Sequence, residues 1–195
     1  MMFKRLSVFP FNAGNTLHYT CPMRFADGPT TEASIEINSS PREVWELVSD
    51  IGTPVRFSDE LQAVEWLDGV EAPAVGARFR GYNDSGAFQW QVTCTITDYR
   101  EPELIEWTVE DVDNPVARWR FVVEPITGDE EGGAAPRTRL SQWTRLGPGP
   151  SGLTAAIERK PEAEERIIGR RLSMLRTNME ANLRGIKALV EGGGR

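Results

Sequence analysis

Only one stretch of this chain can form a long amphipathic helix, and it comes last. From Pro161 to about Glu191, the residues Ile168, Leu172, Leu175, Met179, Ile186 and Leu189 recur at intervals of three, four and seven, which is the spacing that lines one face of a helix. Pro161 with Glu162, Glu164 and Glu165 suits the positive N-terminal end, and Gly192-Gly193-Gly194 ends the run. Met174 and Met179 lie on or beside the apolar stripe, where an adaptable side chain serves a cavity wall as well as a core.

Most of what precedes this helix alternates with the period of strands. Thr31 to Ile37 places Ala33, Ile35 and Ile37 on one side. Ser40 then caps a short helix with Pro41 at its first position and Val44, Leu47 and Val48 on one face. Asp50 to Asp59, broken by Gly52 and Pro54, predicts one further helical turn. Strands are expected at Ala63–Leu67, Ala77–Asn83, Phe88–Tyr99, Leu104–Val109, Ala117–Glu124 and Thr138–Arg145. Turn formers such as Asp68-Gly69, Ser85-Gly86, Glu101-Pro102 and Asn114-Pro115 separate them, and Thr127–Arg137 reads as a mobile hairpin loop. Short links make an antiparallel meander the economical arrangement. A sheet with one apolar face must cover it, and only the last helix is long enough. The expected fold is α+β: a seven-stranded curved antiparallel sheet wrapped around the C-terminal helix, with short helices after the first strand. Residues 1–30 read as a tail or edge extension, 31–191 as a single domain, and 192–195 as a disordered end.

Charge and rare residues narrow the function. The 22 Lys and Arg against 29 Asp and Glu leave a net charge of −7, which disfavours a phosphate backbone as partner, so no nucleic acid is expected. No apolar run approaches the roughly 18 residues of a membrane span. Lys4 and Arg5 precede a short apolar patch, but Pro10 and Asn12 interrupt it and no cleavage site follows, so a cytoplasmic location is expected. Cys21 and Cys94 are too far apart for a metal or redox motif and are expected to be reduced, a disulfide between them remaining open. His18 is the only histidine and stands in the N-terminal stretch. Metal sites built on histidine and catalytic triads are therefore not expected, and neither is any cofactor. The cluster Gly147-Pro148-Gly149-Pro150-Ser151-Gly152 carries two prolines, so it reads as a rigid turn and not as a phosphate cradle.

Alternation also assigns faces. Trp90, Val92, Cys94 and Ile96 share one side, as do Ile105, Trp107 and Val109, and Ala117, Trp119, Phe121 and Val123. Gln89, Gln91, Arg118 and Arg120 then point outward, and parity sends Tyr82 and Tyr99 away from the apolar face. Trp90, Trp107 and Trp119 would face the helix from successive strands. Gln142 and Thr144, on the parity of Leu140, and Asn83 would be polar groups looking inward, satisfied either by protein partners or by a ligand. Phe57 with Gly147–Ile157 would form the mouth of a pocket.

At this point the sequence resembles the SRPBCC superfamily, the helix-grip proteins that include lipid-transfer START domains, birch-pollen-allergen-like proteins and polyketide cyclases or dehydratases. The residues carrying the resemblance are Ile35–Asp50, Val75–Phe79, Glu103–Trp107, Trp119-Arg120-Phe121 and Thr138-Arg139-Leu140. Bacterial polyketide cyclase/dehydrase and lipid-transport-like members are the most similar, sharing Pro150–Ile157 and Arg170-Arg171-Leu172. The resemblance implies the helix-grip fold and no catalytic residue, because fold does not determine chemistry.

Three functions stay open. The first is a carrier for a hydrophobic small molecule, its site drawn from Phe57, Phe79, Asn83, Trp90, Trp107, Trp119, Gln142, Thr144, Met174 and Met179. The second is a metal-free polyketide cyclase, dehydratase or aromatase, with Asp59, Tyr82, Tyr99, Glu158 or an arginine as acid/base candidates. The third is an interaction module using Asp129-Glu130-Glu131 and the Arg166, Arg170, Arg171, Arg176 series, with a homodimer left open.

Overall fold

The computed structural model describes residues 23–127 and 135–193; Lys4, Arg5, His18, Cys21 and Asp129-Glu130-Glu131 lie outside the described residues. The element order is β1 (Thr30–Ile37), α1 (Pro41–Val48), β2 (Leu61–Trp66), β3 (Arg78–Asp84), β4 (Gln89–Arg100), β5 (Leu104–Val109), β6 (Ala117–Pro125), β7 (Thr138–Leu146), α2 (Gly152–Arg159) and α3 (Glu164–Gly192). Single 3₁₀ turns stand at Phe25–Asp27, Thr53–Arg56 and Pro161–Ala163.

The strands form one antiparallel sheet in the order β1-β7-β6-β5-β4-β3-β2. Strands β2 to β7 are thus a meander, and β1 closes the sheet against the last strand. Because β1 and β2 occupy opposite edges, α1 and the Thr53–Arg56 turn must cross the sheet between them. The sheet is curved and holds α3, the helix-grip arrangement that the single long amphipathic segment requires.

Local chemistry explains the element ends. Glu43 N–H donates to Ser40 Oγ while the Glu43 carboxylate accepts from Ser40 N–H, a reciprocal cap at the start of α1. Hydrogen bonds from Ser39, then Ser40, hold the Glu43 carboxyl down at about 2. A second reciprocal cap, Ser151 with Thr154, starts α2, a helix the sequence reading left inside the proposed mouth.

α3 runs chiefly along β1 and touches α1, α2 and β7. Met179, Leu183 and Ile186 of its C-terminal half join Val44, Trp45, Ile37, Phe121 and Leu140 in the main core. Ile168, Leu172 and Leu175 of its N-terminal half form a second cluster with Leu146, flanked by Phe25, Leu153 and Ile157. Trp119 packs against both clusters.

One face assignment is corrected. β4 carries a bulge between Ile96 and Asp98, so Ile96 faces Trp107 while Tyr99 faces Ile105. The extra residue reverses the parity of everything after it. Tyr99 consequently points inward and packs against Trp45 at 5.5 Å. Tyr82, on β3, stays outside, its hydroxyl donating to Glu65 at 2.6 Å.

The outer face carries a charged cluster at its centre. The Glu106 side chain is 8% exposed and accepts from Arg118 at 3.2 Å and Arg120 Nε at 2.9 Å. Burial pushes its carboxyl up, but Arg120, Arg118 and Thr97 outweigh that and hold it below the ordinary range. Arg120 also lies over the Trp143 ring at 5.0 Å.

Candidate functional site

A row of aromatic rings crosses the inner face of the central strands. Phe79 on β3 meets Trp66 at 5.9 Å and Trp107 at 6.1 Å. Trp107 stacks on Trp119 at 6.4 Å with 7° between the rings, and lies 6.0 Å from Phe121. The ladder explains the stack, because Trp107 and Trp119 are directly paired across β5 and β6. Their flanking neighbours Ile105, Val109, Ala117 and Phe121 are buried, yet Trp107 and Trp119 are only half-buried. Trp66 and Val92 on the same face are also half-buried. The sheet's inner surface is therefore incompletely covered along this row, while β1 lies directly under α3 and β7 meets it at fewer points.

A buried amide pair stands beside the row. Gln142 on β7 is 6% exposed and is paired in the ladder with Phe121. Its Oε1 accepts from Nδ2 of Asn182 on α3 at 3.1 Å. Asn182 is 3% exposed, and its Oδ1 has no hydrogen-bond partner among the described residues. Asn182 was not singled out from the sequence. The available signal was its place three residues after Met179 and four before Ile186, a polar residue in the apolar stripe.

The remaining expected site residues divide by location. Met179 is buried in the main core. Thr144 is fully buried, but its hydroxyl donates to the Arg118 carbonyl at 2.9 Å, so the sheet already satisfies it. Met174 is 45% exposed and stands off the buried stripe of α3. Helical spacing explains this, because it precedes the buried Leu175 by one position and is rotated about 100° from it. Asn83 and Trp90 lie at the β3–β4 hairpin end, where Trp90 packs on exposed Phe88 at 5.0 Å. With Gln62, Tyr82, Asp84 and Gln91 they line a separate open groove of about 360 Å³.

Phe57 follows the Thr53–Arg56 turn and seats its ring on the backbone of α3 at Gly185, closer than any Cβ there would allow. About four helical turns earlier on α3, Arg171 grips Glu60 with two hydrogen bonds of 2.7 and 2.8 Å. These two contacts join the segment before β2 to the helix and close that side of the interior. At the other side, Gly147 and Gly149 donate their N–H groups to the Val116 and Pro115 carbonyls. A Cβ at either glycine would collide with the backbone of Asn114–Val116, so the segment before α2 is pinned to the β5–β6 loop.

The acid/base candidates gather no constellation. Asp59 and Glu158 are exposed, Tyr82 is engaged on the outer face, and Tyr99 packs on Trp45 near the β4–β5 turn. In the arginine series, Arg171 is committed to Glu60, and Arg176 to Glu180 and the Glu32 carbonyl. Burial, then the Glu110 charge, pushes the Cys94 thiol well up, making it an inert core residue. Among the described residues no helix is long and apolar enough to cross a membrane.

Comparison with solved structures returns the same architecture. A Polyketide_cyc-like protein of Corynebacterium glutamicum is 25% identical, with a TM-score of 0.57 over 88% of this chain and 94% of its own. The Zhui aromatase/cyclase of a Streptomyces species is 16% identical, with a TM-score of 0.61 over 86% of this chain and 96% of its own. A START superfamily protein of Mycobacterium smegmatis is 14% identical, with a TM-score of 0.51 over 80% and 97%. No curated protein matches the chain by sequence. The family described as polyketide cyclase / dehydrase and lipid transport matches residues 29–191, from before β1 to the last turn of α3, and the chain belongs to that family.

Proposed function

We propose that the protein binds a hydrophobic small molecule, of lipid or polyketide type, in the space between the sheet and α3, and carries it without transforming it. The observation that carries this reading is the stacked pair Trp107 and Trp119, inward-facing on the central strands yet only half-buried. Leaving large aromatic surface partly wet inside a fold forgoes part of the roughly 1.5–3 kcal/mol that full burial supplies for each such side chain. An apolar ligand recovers it. Phe79 and Phe121 extend the wall, and Gln142 with Asn182 places a polar group at its edge. This is the usual make-up of a small-molecule site, an apolar lining with few polar anchors. Phe57 on Gly185 and Arg171 on Glu60 would be the contacts that part to admit the ligand. The solvent-facing positions of Asp59 and Glu158 favour binding over acid/base chemistry.

The test is native mass spectrometry of freshly purified protein, followed by solvent extraction and titration with apolar aromatic and fatty-acyl compounds. A stoichiometric adduct, copurified or acquired on titration and weakened by Trp107→Ala, is the expected result. An unaltered mass throughout, or affinity indifferent to Trp107→Ala, contradicts the reading.

A further inference from the structure

Asn182 is costly as it stands. An apolar residue between Met179 and Ile186 would complete the stripe of α3, whereas a buried oxygen without a donor sacrifices about 1–3 kcal/mol. With Nδ2 donating to Gln142 Oε1 at 3.1 Å, Oδ1 is the atom of the amide left over. Backbone donors cannot satisfy it, since the N–H groups within a helix are already engaged along the helix. Thr144 shows the contrasting case, a buried polar group on the same strand as Gln142 whose partner is supplied by the fold.

The position of the orphan atom is informative. Gln142 and Phe121 face each other across β6 and β7, about 5 Å apart, and Phe121 adjoins Trp107 and, through it, Trp119. A molecule lying on that aromatic row would bring a substituent at its edge to Asn182. An acceptor there selects a donor.

We propose that Asn182 is a specificity-determining residue of the interior site: its Oδ1 accepts a hydrogen bond from a hydroxyl on an otherwise apolar ligand, with Gln142 holding the amide in place. This rests on the ligand-binding reading above and adds to it that the ligand must be a donor. An ether, ester or bare hydrocarbon of the same shape leaves the oxygen unpaired.

The experiment compares 2-naphthol, 2-methoxynaphthalene and naphthalene by tryptophan fluorescence titration of the full chain and of Asn182→Leu. The wild-type protein should bind 2-naphthol about tenfold more tightly than 2-methoxynaphthalene, the worth of one buried hydrogen bond. In Asn182→Leu that ratio should fall to about one while naphthalene affinity is kept or improved, which mere disruption of the fold would not produce. Equal wild-type affinities for 2-naphthol and 2-methoxynaphthalene overturn the assignment of Asn182 and leave hydrophobic binding intact. That comparison needs no variant. Failure of all three to bind overturns both proposals.

Discussion

Two glycines on α3 should respond to the same substitution with opposite signs. Gly169 is exposed, and a Cβ built there meets nothing within 4 Å. Alanine at that site gains the ordinary helix advantage, about 1 kcal/mol, which moves the midpoint of a domain this size up by about 2–4 °C. At Gly185 the same Cβ would lie 2.3 Å from Phe57 Cδ1 and 2.4 Å from Cε1 and Cγ. Ordinary carbon contacts are about 3.5–4.0 Å, so the ring must retreat by more than about 1 Å. Overpacking of this kind costs about 1–3 kcal/mol. Subtracting the helix gain leaves Gly185→Ala about 1 kcal/mol less stable than wild type. Urea unfolding followed by tryptophan fluorescence measures both variants. In a Phe57→Ala background the clash is gone, and Gly185→Ala should then stabilise as Gly169→Ala does, a coupling of about 1–3 kcal/mol. If Gly185→Ala stabilises the wild-type chain to the same extent as Gly169→Ala, Phe57 is not seated on the helix and the closure of the interior described here is wrong.

Three further outcomes follow from the geometry. Glu106→Gln should cost about 2 kcal/mol near neutral pH, because two guanidinium groups lose their shared carboxylate; the folded carboxyl sits below its unfolded value, so this difference is full above about pH 5 and shrinks as acid protonates Glu106, and denaturation curves from pH 7 to pH 3 that run parallel would refute it. Arg171→Gln and Glu60→Gln should each cost about 1 kcal/mol, and the double variant no more than either alone; strictly additive losses in a double-mutant cycle would show that the pair is not coupled. Thr144→Val should lose about 1 kcal/mol by removing a satisfied buried bond without changing affinity for any apolar probe, and a weakened affinity would place Thr144 in the site.

What the sequence disclosed follows the range of each signal. The strands, α1 and α3 were legible because alternation, a serine cap and a 3.6-residue stripe act within a few residues. The shared inward face of Trp107 and Trp119 was legible too, since both lie on short strands with unbroken parity; their pairing came from the ladder. Tyr99 was misassigned because a bulge adds one residue without marking the sequence, and every later parity on that strand reverses. Helix α2 was overlooked under the prolines before it, although Ser151 and Thr154 carry its cap. The tie between Glu60 and Arg171 spans 111 residues and has no local trace. Asn182 was visible only as an irregularity in a stripe, and its partner became apparent once β7 and α3 were seen to face each other. Met174 was read as lying on or beside the stripe, and its angular position puts it largely in solvent.

The claim that an apolar ligand occupies the space beneath α3 is tested most directly by the six tryptophan indole N–H signals in ¹H–¹⁵N spectra during titration with 2-naphthol. The account predicts that the Trp107 and Trp119 indole signals shift saturably, while Trp143, on the outer face under Arg120, stays in place. Shifts confined to Trp90 at the hairpin groove, or to Trp143, would contradict it.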